Sequence, residues 1–300
     1  MSKQETKTEE IVSRPQSGLE IVTREFQKDP IAIVSLVLLV GIMLTVFIAP
    51  FFIDGDVGSK VDLFNRFTPP GEGGYILGAD EGGRDVLAQL IIGARNSLVI
   101  GWSVTILSEI ISVVYGLISG YYGGRVDDLM MRVVDFMLLL PHLLIIIVLV
   151  TLLKKVTMWH LIGIFVLFGW ARGVRFYRTS ILSEASKEYV KASKTMGSYD
   201  FNIMFTQVLP NISSLIVTSG ILGLAGSIGM ETGLSFLGFG LPVGTPSLGT
   251  LLSSARSADI IQNRWWLWVP ALVLTMVMML SISYIGQAVK RAFNSKQRLG

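Results

Sequence analysis

The chain has 300 residues, of which 51% are hydrophobic and 16% are charged, whereas an ordinary soluble domain carries about 25% charged residues. Its mean hydropathy is +0.60, its formal net charge is +3, and it contains no cysteine. This composition favours a helical membrane protein. It excludes structural disulfides, thiolate nucleophiles and cysteine-ligated zinc or iron–sulfur sites.

The N-terminal part of the sequence predicts a polar tail followed by a first membrane span. Residues 1–30 mix acidic and basic side chains and lack the short apolar core of a secretory signal, so we interpret them as a cytosolic tail. Residues 31–53 carry no charge, and this run is long enough for a helix that crosses the hydrocarbon.

Residues 54–95 predict an extracytoplasmic loop that is rich in Asp and Glu. Within it, the amphipathic stretch 86–92 predicts a short helix on the outer membrane face. A solvated loop is the alternative interpretation of the same residues.

Residues 96–290 predict five further spans, because they contain long runs with few or no charges. These spans cover about residues 96–122, 133–153, 156–171, 211–237 and 265–289. Backbone groups in lipid must be satisfied within the segment, so each span is a helix. The predicted fold class is therefore an all-α membrane protein with six transmembrane helices, with residues 291–300 as a C-terminal tail.

The distribution of Lys and Arg predicts the orientation of these spans. The segments 1–30, 121–132, 172–202 and 290–300 hold 17 basic residues, whereas the segments on the other side of the predicted membrane hold seven. Basic residues accumulate in cytoplasmic loops, so both termini of this multi-pass membrane protein are expected in the cytoplasm. Trp265, Trp266 and Trp268 would then belong to an outer aromatic belt.

A polar, basic segment at residues 181–210 interrupts the apolar sequence on the predicted cytosolic side, and we name it the docking loop. Its composition predicts a helix over 181–193, a turn at Gly197 that a side chain would obstruct, and a second amphipathic helix that stops at Leu209-Pro210. A basic helix that lies on anionic lipid is the alternative interpretation.

The docking loop resembles the EAA loop of ATP-binding-cassette importer permeases, which binds the ATPase subunits. The family pattern is Glu-Ala-Ala, three residues, Gly, and a closing hydrophobic-x-Leu-Pro. Lys191-Ala192-Ser193, Gly197 and Leu209-Pro210 occupy those places, preceded by Glu188-Tyr189. Lys191 replaces the usual Glu, and Gln207 stands where the pattern is often apolar. The earlier run 184–186 begins with Glu-Ala but has no Gly at the required distance.

The predicted layout, with a cytosolic N-terminus and one extra span, resembles the C subunit of the permease pair of dipeptide and oligopeptide importers, and three further segments resemble these permeases. They are Leu-Gly-Ala-Asp-Glu-Gly-Gly-Arg-Asp at 77–85, Gly-Tyr-Tyr-Gly-Gly at 120–124 with Asp127 and Asp135, and Leu-Ser-Phe-Leu-Gly-Phe-Gly at 234–240. The resemblance extends over about residues 25–294. It implies the MetI-like type I importer permease fold and a location in the bacterial cell membrane.

The resemblance also implies a set of partners. These are a homologous second permease, two ATPase subunits that dock on the docking loop, an extracytoplasmic peptide-binding protein, a peptide substrate and the lipid bilayer, with no nucleic acid. No Gly-Lys pair, and hence no phosphate-binding loop, occurs in the sequence. We therefore expect a transport protein that is not an enzyme and has no cofactor of its own, with ATP bound by the partner subunits.

Charged residues inside the predicted spans are costly in lipid and should face the bundle interior, water or a partner helix. For Glu231, a place in the translocation path and a structural hydrogen bond are both open. Glu109 is interpreted as structural, and Asp135 as a partner of Arg132 or of a basic residue in 172–178. His142, which follows Pro141, is interpreted as the neighbour of a helix kink.

Two other functions fit parts of the sequence. An ATP-driven permease could carry a nickel chelate, glutathione or an antimicrobial peptide, since the binding protein sets much of the selectivity. A self-contained ion-coupled transporter would use the two intramembrane carboxylates, but such transporters often contain internal repeats, and no convincing repeat is present.

Overall fold

The computed structural model describes residues 26–52, 61–242 and 244–299, with side chains described up to residue 293. Most of the predicted N-terminal tail, part of the outer loop and the end of the C-terminal tail lie outside the described residues or side chains. The described chain is helical; its only β-pairing is an isolated bridge between Ala79 and Asp85.

Twelve α-helices make up the described fold, numbered here in chain order. They are α1 Pro30–Ile48, α2 Val86–Tyr122, α3 Gly124–Leu139, α4 His142–Leu152, α5 Met158–Ala185, α6 Glu188–Thr195, α7 Asp200–Ile203, α8 Leu209–Asn211, α9 Ser213–Phe236, α10 Leu248–Leu252, α11 Ala258–Asn263 and α12 Val269–Leu299. Short 3₁₀ turns and one π-type turn, Met204–Val208, connect some of them.

Four of these helices, α1 with its 3₁₀ extension, α2, α9 and α12, are long and apolar enough to cross a membrane among the described residues. The pair α3 and α4 qualifies as a fifth, broken span. Helix α5, which contains the predicted fourth span, is long enough but is not among these spans. Its second half contains three Arg residues and several polar side chains, which lower its hydropathy.

Helix α2 begins at Val86, and not at Asn96 as predicted. Asp85 caps it by accepting hydrogen bonds from the backbone N–H groups of Leu87 and Ala88. With 37 residues, the helix is about 55 Å long, so it extends well beyond the hydrocarbon. The prediction of a separate short helix over 86–92 is therefore wrong, because no residue between this stretch and Asn96 ends the helix.

The predicted third span is broken at Pro141 into α3 and α4, which meet at an angle of 76°. Leu140 takes an extended conformation with ψ 136°, as the residue before proline prefers. The His142 imidazole contacts the carbonyl oxygen of Met137 through Nε2 at 2.9 Å, and so lies at the bend as predicted. A continuous helix over 133–153 was the wrong expectation.

The core of the bundle is formed by α2, α5, α9 and α12, and close approaches fix their packing. A Cβ atom on Gly120 would lie 2.9 Å from the carbonyl oxygen of Arg178, and one on Gly101 would lie 2.6 Å from Ile228 Cγ1. At the predicted outer end, a Cβ on Gly249 of α10 would lie 2.4 Å from the Thr232 carbonyl oxygen. Glycines therefore allow α5, α9 and α10 to pack directly against their neighbours.

Candidate functional site

The docking loop consists of two helical segments joined by a turn at Gly197. The Ser198 N–H donates to the Ser193 carbonyl at 3.1 Å, and the Gly197 N–H donates to the Lys194 carbonyl at 3.0 Å. These two bonds form a Schellman ending, in which the residue after the helix has positive φ. Gly197 has φ +89°, and a Cβ atom there would meet no atom of the chain within 4 Å. The backbone conformation therefore requires glycine at this position, and no described atom of the chain covers the space where a side chain would stand.

The helices on either side of this turn differ from the prediction. Helix α5 ends at Ala185 and α6 begins at Glu188, so no single helix covers 181–193. The second segment does not stop at Leu209-Pro210 but continues through them to Asn211. A π-type turn precedes Pro210, whose ring nitrogen has no hydrogen to donate.

The tip of the docking loop presents large apolar side chains to the outside. Met196, Tyr199 and Phe201 are 78%, 85% and 68% exposed. Lys191 and Ala192 are also exposed on α6. Contiguous exposed apolar groups bordered by charge are typical of a surface that binds another protein or a membrane.

The opposite side of the docking loop is buried against the bundle. One hydrophobic cluster joins it to α2, α5 and the start of α9; its buried members are Val113, Leu117, Tyr177, Ile181, Val190, Ile203, Met204, Val208 and Ile212. The two ends of the helix predicted over 181–193 therefore have opposite environments, because Ile181 is buried in α5 and Ala192 is exposed on α6.

Tyr189 lies at a polar joint between α5, α6 and α8. Its hydroxyl donates to Glu184 Oε1 at 2.7 Å and accepts from Asn211 Nδ2 at 2.8 Å. Glu184 also forms an ion pair with Lys187 at 2.8 Å. Burial tends to raise the pKa of the Glu184 carboxyl, but the hydrogen bonds from Lys187 and Tyr189 outweigh it and hold that pKa below its ordinary value. The carboxylate is therefore charged and fixes the Tyr189 ring.

A second polar contact ties the two segments of the loop together. Ser193 Oγ donates to Gln207 Oε1 at 3.0 Å, and Gln207 Nε2 donates to Ser193 Oγ at 2.8 Å. Ser193 stands in the place of the second Ala of the motif, and Gln207 in a place that is often apolar. Ser193 and Gln207 both depart from the family pattern, and they are physically linked because each side chain is the hydrogen-bond partner of the other.

A third contact joins the docking loop to the end of α2. The Tyr121 hydroxyl donates to Asp200 Oδ1 at 2.7 Å, and Lys194 lies 3.0 Å from the same oxygen. The hydrogen bond from Tyr121 and the charge of Lys194 lower the pKa of the Asp200 carboxyl. Asp200 also starts α7, where a negative charge is favoured by the helix dipole.

The remaining predicted docking residues occupy different environments. Glu188 is exposed in the first turn of α6, Leu209 is half-buried, and Pro210 is exposed within α8. Within the described residues, no group of three or more His, Asp or Glu side chains could hold a metal ion.

Glu231 is fully buried where α9, α2 and α10 meet. Its two carboxylate oxygens accept hydrogen bonds from Ser97 Oγ at 2.6 Å and Ser235 Oγ at 2.7 Å. Ser97 Oγ in turn accepts from the Leu248 N–H at 3.1 Å. Of the two alternatives left open by the sequence, this geometry favours the structural one, because the carboxylate is used to hold three elements together.

The basic residues of α5 pair with acids of α3. Arg175 forms an ion pair with Asp135, and Arg178 forms one with Asp127, which also accepts from Ser119 Oγ. The predicted partner range for Asp135 therefore contained its actual partner. These two ion pairs join α5 to α3.

The segment 77–85 forms a compact turn that starts α2. Asp80 accepts from the backbone N–H of Gly82 at 2.8 Å, from Arg84 Nε at 2.8 Å and from Gln89 Nε2 at 2.9 Å. The Trp266 indole donates to the Ala79 carbonyl at 3.4 Å and so contacts this turn. Asp80 thus stabilises the conformation of the segment 77–85 through these hydrogen bonds.

Comparison with known proteins identifies the family. Residues 112–298 match the family described as binding-protein-dependent transport system inner membrane component. The chain belongs to this family. Residues 19–70 additionally match the N-terminal TM domain of oligopeptide transport permease C. The resemblance found in the sequence is confirmed, and the chain is a membrane permease of a binding-protein-dependent transport system.

Curated relatives cover nearly the whole permease. It is 41% identical to the oligopeptide transport system permease protein OppC of Lactococcus lactis subsp. lactis (strain IL1403), over 92% of this chain and 94% of the relative. It is 33% identical to the oligopeptide transport system permease protein OppC of Bacillus subtilis (strain 168), over 91% and 88%. It is 32% identical to the dipeptide transport system permease protein DppC of Haemophilus influenzae (strain ATCC 51907 / DSM 11121 / KW20 / Rd), over 94% and 96%.

Proposed function

We propose that this permease imports oligopeptides or dipeptides as one half of a permease pair. An extracytoplasmic peptide-binding protein delivers the peptide, and two ATP-binding-cassette ATPases supply the energy from the cytosol. The relatives named for oligopeptide and dipeptide transport support the cargo, since the similarity extends over more than nine-tenths of the chain.

The observation that carries the proposal is the two-sided construction of the docking loop. Its tip exposes Met196, Tyr199 and Phe201, while its underside is bound to α2, α5 and α9. An ATPase that holds this tip would therefore move three helices at once. A surface that only rested on lipid would not need Tyr189 to be hydrogen-bonded on both sides.

In this proposal six helices span the membrane, with both termini in the cytosol. The apolar first half of α5 would be the span that completes the count, supported by its close approach to α2 at Gly169, where a Cβ atom would lie 3.0 Å from Ser108 Oγ. Because the chain has no cysteine, a Met196→Cys variant can be labelled specifically. We expect an impermeant thiol reagent to label it only from the cytosolic side; labelling of intact cells from outside would refute the orientation.

The function is tested by reconstituting the permease with its genomic neighbours in proteoliposomes. We expect uptake of a labelled peptide that requires ATP, the ATPases and the binding protein, and that persists when the proton gradient is collapsed. Uptake that follows the proton gradient and ignores ATP would establish the ion-coupled alternative. ATP-dependent uptake of a nickel chelate, glutathione or an antimicrobial peptide, without uptake of ordinary peptides, would change the cargo.

A further inference from the structure

A cavity of about 300 Å³ lies inside the helical bundle, between α2, α4, α5 and α9. Glu109 of α2 is the acidic residue in its wall. Apolar side chains, glycines, His142 and Arg172 line most of the rest, together with five hydroxyl groups, those of Thr105, Ser108, Ser112, Ser219 and Ser227. The wall is therefore mixed: most of its area is apolar, but a carboxylate and several hydroxyl groups offer acceptors to a polar occupant.

Glu109 is only partly satisfied by the protein. Its Oε1 accepts a hydrogen bond from the Tyr177 hydroxyl, whereas no described residue donates to Oε2 or forms an ion pair with the carboxylate. Nearby, Ser108 Oγ is buried and has no hydrogen-bond partner. Two acceptor groups in the same cavity are therefore available to a donor from outside the described chain.

Glu231, the other intramembrane carboxylate, is the opposite case. It is 0% exposed, both of its oxygens accept hydrogen bonds from serines, and it lines none of the described cavities. Burial inside the bundle therefore does not by itself produce an unsatisfied carboxylate. Glu109 differs because it faces a space.

Glycines keep that space open and bring α5 close to α2. Cβ atoms on Gly169 and Gly173 would lie 3.0 Å from Ser108 Oγ and 2.4 Å from Ser112 Oγ. Across the cavity, a Cβ on Gly226 of α9 would meet nothing within 4 Å. A side chain at Gly226 would fit without a clash and would reduce the cavity, so its absence preserves room for an occupant.

The cavity continues toward the docking loop. A second cavity of about 930 Å³ shares Arg172, Gly173, Ser219 and Gly223 with the first, so the two are adjacent. The walls of the second also include Glu184 and Asn211, which form the polar joint with Tyr189. The route from Glu109 thus ends beside the segment that the ATPase is proposed to hold.

We propose that Glu109, together with the hydroxyls of its cavity, binds the α-ammonium end of a peptide in transit. This inference rests on the proposed function as a peptide importer. An ammonium group has three donors and no acceptor, which matches a free carboxylate oxygen and a free serine hydroxyl. A charge pair in a partly dehydrated cavity is also stronger than in water. One peptide residue fits the smaller cavity, and the rest of the peptide occupies the larger one.

The test uses a Ser227→Cys variant of the otherwise cysteine-free chain, in a complex whose partner subunits also lack cysteine. Labelling is measured in nucleotide-free proteoliposomes with two thiol reagents of similar size and opposite charge, added on the cytosolic side. We expect the cationic reagent to react about tenfold faster, a rate ratio that corresponds to about 1.4 kcal/mol. Adding Glu109→Gln should remove this preference, whereas adding Glu231→Gln, the matched control, should keep it.

Peptide protection provides the second measurement. Tetra-alanine with a free amino terminus, added on the cytosolic side to bypass the binding protein, should slow labelling several-fold, while its N-acetylated form should not. Equal rates for the two reagents, no labelling of the cysteine, or equal protection by both peptides would each overturn the site. ATP-dependent peptide uptake by the parental complex is measured in the same kind of proteoliposomes. If the parental complex takes up no peptide, the proposed function is wrong; if its uptake is normal but the two reagents label Ser227→Cys at equal rates, only this site is wrong.

Discussion

Replacing Gly197 separates the backbone requirement of the docking turn from its role in partner binding. At φ +89°, an L-residue other than glycine is strained by about 1–2 kcal/mol, which changes the local folded fraction by a factor of about 5–30. Gly197→Ala should therefore loosen the helix ending, and Gly197→Asn should do so less, because Asn tolerates this conformation. Hydrogen exchange of the amides of residues 196–198 in the isolated permease measures the loss.

A larger residue adds a second effect only if a partner sits against the turn. Since no atom of the chain lies within 4 Å of a Cβ at Gly197, Gly197→Leu should strain the free permease about as much as Gly197→Ala. In the complex, the Leu variant should bind fewer ATPase subunits and lose more ATP-dependent uptake than the Ala variant.

Gly74→Leu is the matched control for the larger side chain. Gly74 has φ +83° and equally open surroundings, but lies in the predicted extracytoplasmic loop. Its replacement should leave ATPase recovery unchanged. Equal ATPase recovery and equal uptake for the Ala and Leu variants at Gly197 would refute a partner at this surface.

Three further predictions concern other residues of the site. In a double-mutant cycle, Ser193→Ala and Gln207→Leu should each lower the thermal stability of the detergent-solubilised permease, and the double variant should recover about 1 kcal/mol relative to the sum; strict additivity would contradict the pairing. Glu231→Ala should reduce the amount of folded protein far more than Glu231→Gln, measured by monodisperse yield, because alanine leaves Ser97 without its acceptor; equal yields would exclude the structural role. Lys191→Glu should keep the melting temperature but change the salt dependence of ATPase binding, as expected for an exposed interface charge; an unchanged salt dependence would place Lys191 outside the interface.

The apolar helices were predictable because lipid imposes a simple requirement on length and polarity, which a single sequence records. The errors concern where helices begin and bend. Asp85 starts α2 well before its apolar part, and Pro141 divides a run that is apolar on both sides. Hydropathy does not register either event, although the Asp cap and the proline were visible as local signals.

Only the local features of the candidate site could be predicted from the sequence, and its contacts between helices could not. Gly197 has a local signature, since a helix that ends in a Schellman turn needs a residue with positive φ. The contacts of Tyr189 with Glu184 and Asn211 join residues on three helices, and no periodicity predicts such pairs. One available signal was missed: Ser193 and Gln207 depart from the family pattern together, which is expected of two side chains that bond each other.

These contacts determine how a pull on the docking loop would act on the membrane helices. Tyr121 holds the loop to α2 through Asp200, and Tyr189 holds it to α5 and α8 through Glu184 and Asn211. Glu184 and Asn211 also line the larger cavity. A displacement of the loop cannot leave that cavity unchanged unless these hydrogen bonds break. In the proposed mechanism, an ATP-driven movement of the loop and the space through which a peptide would pass therefore depend on the same side chains.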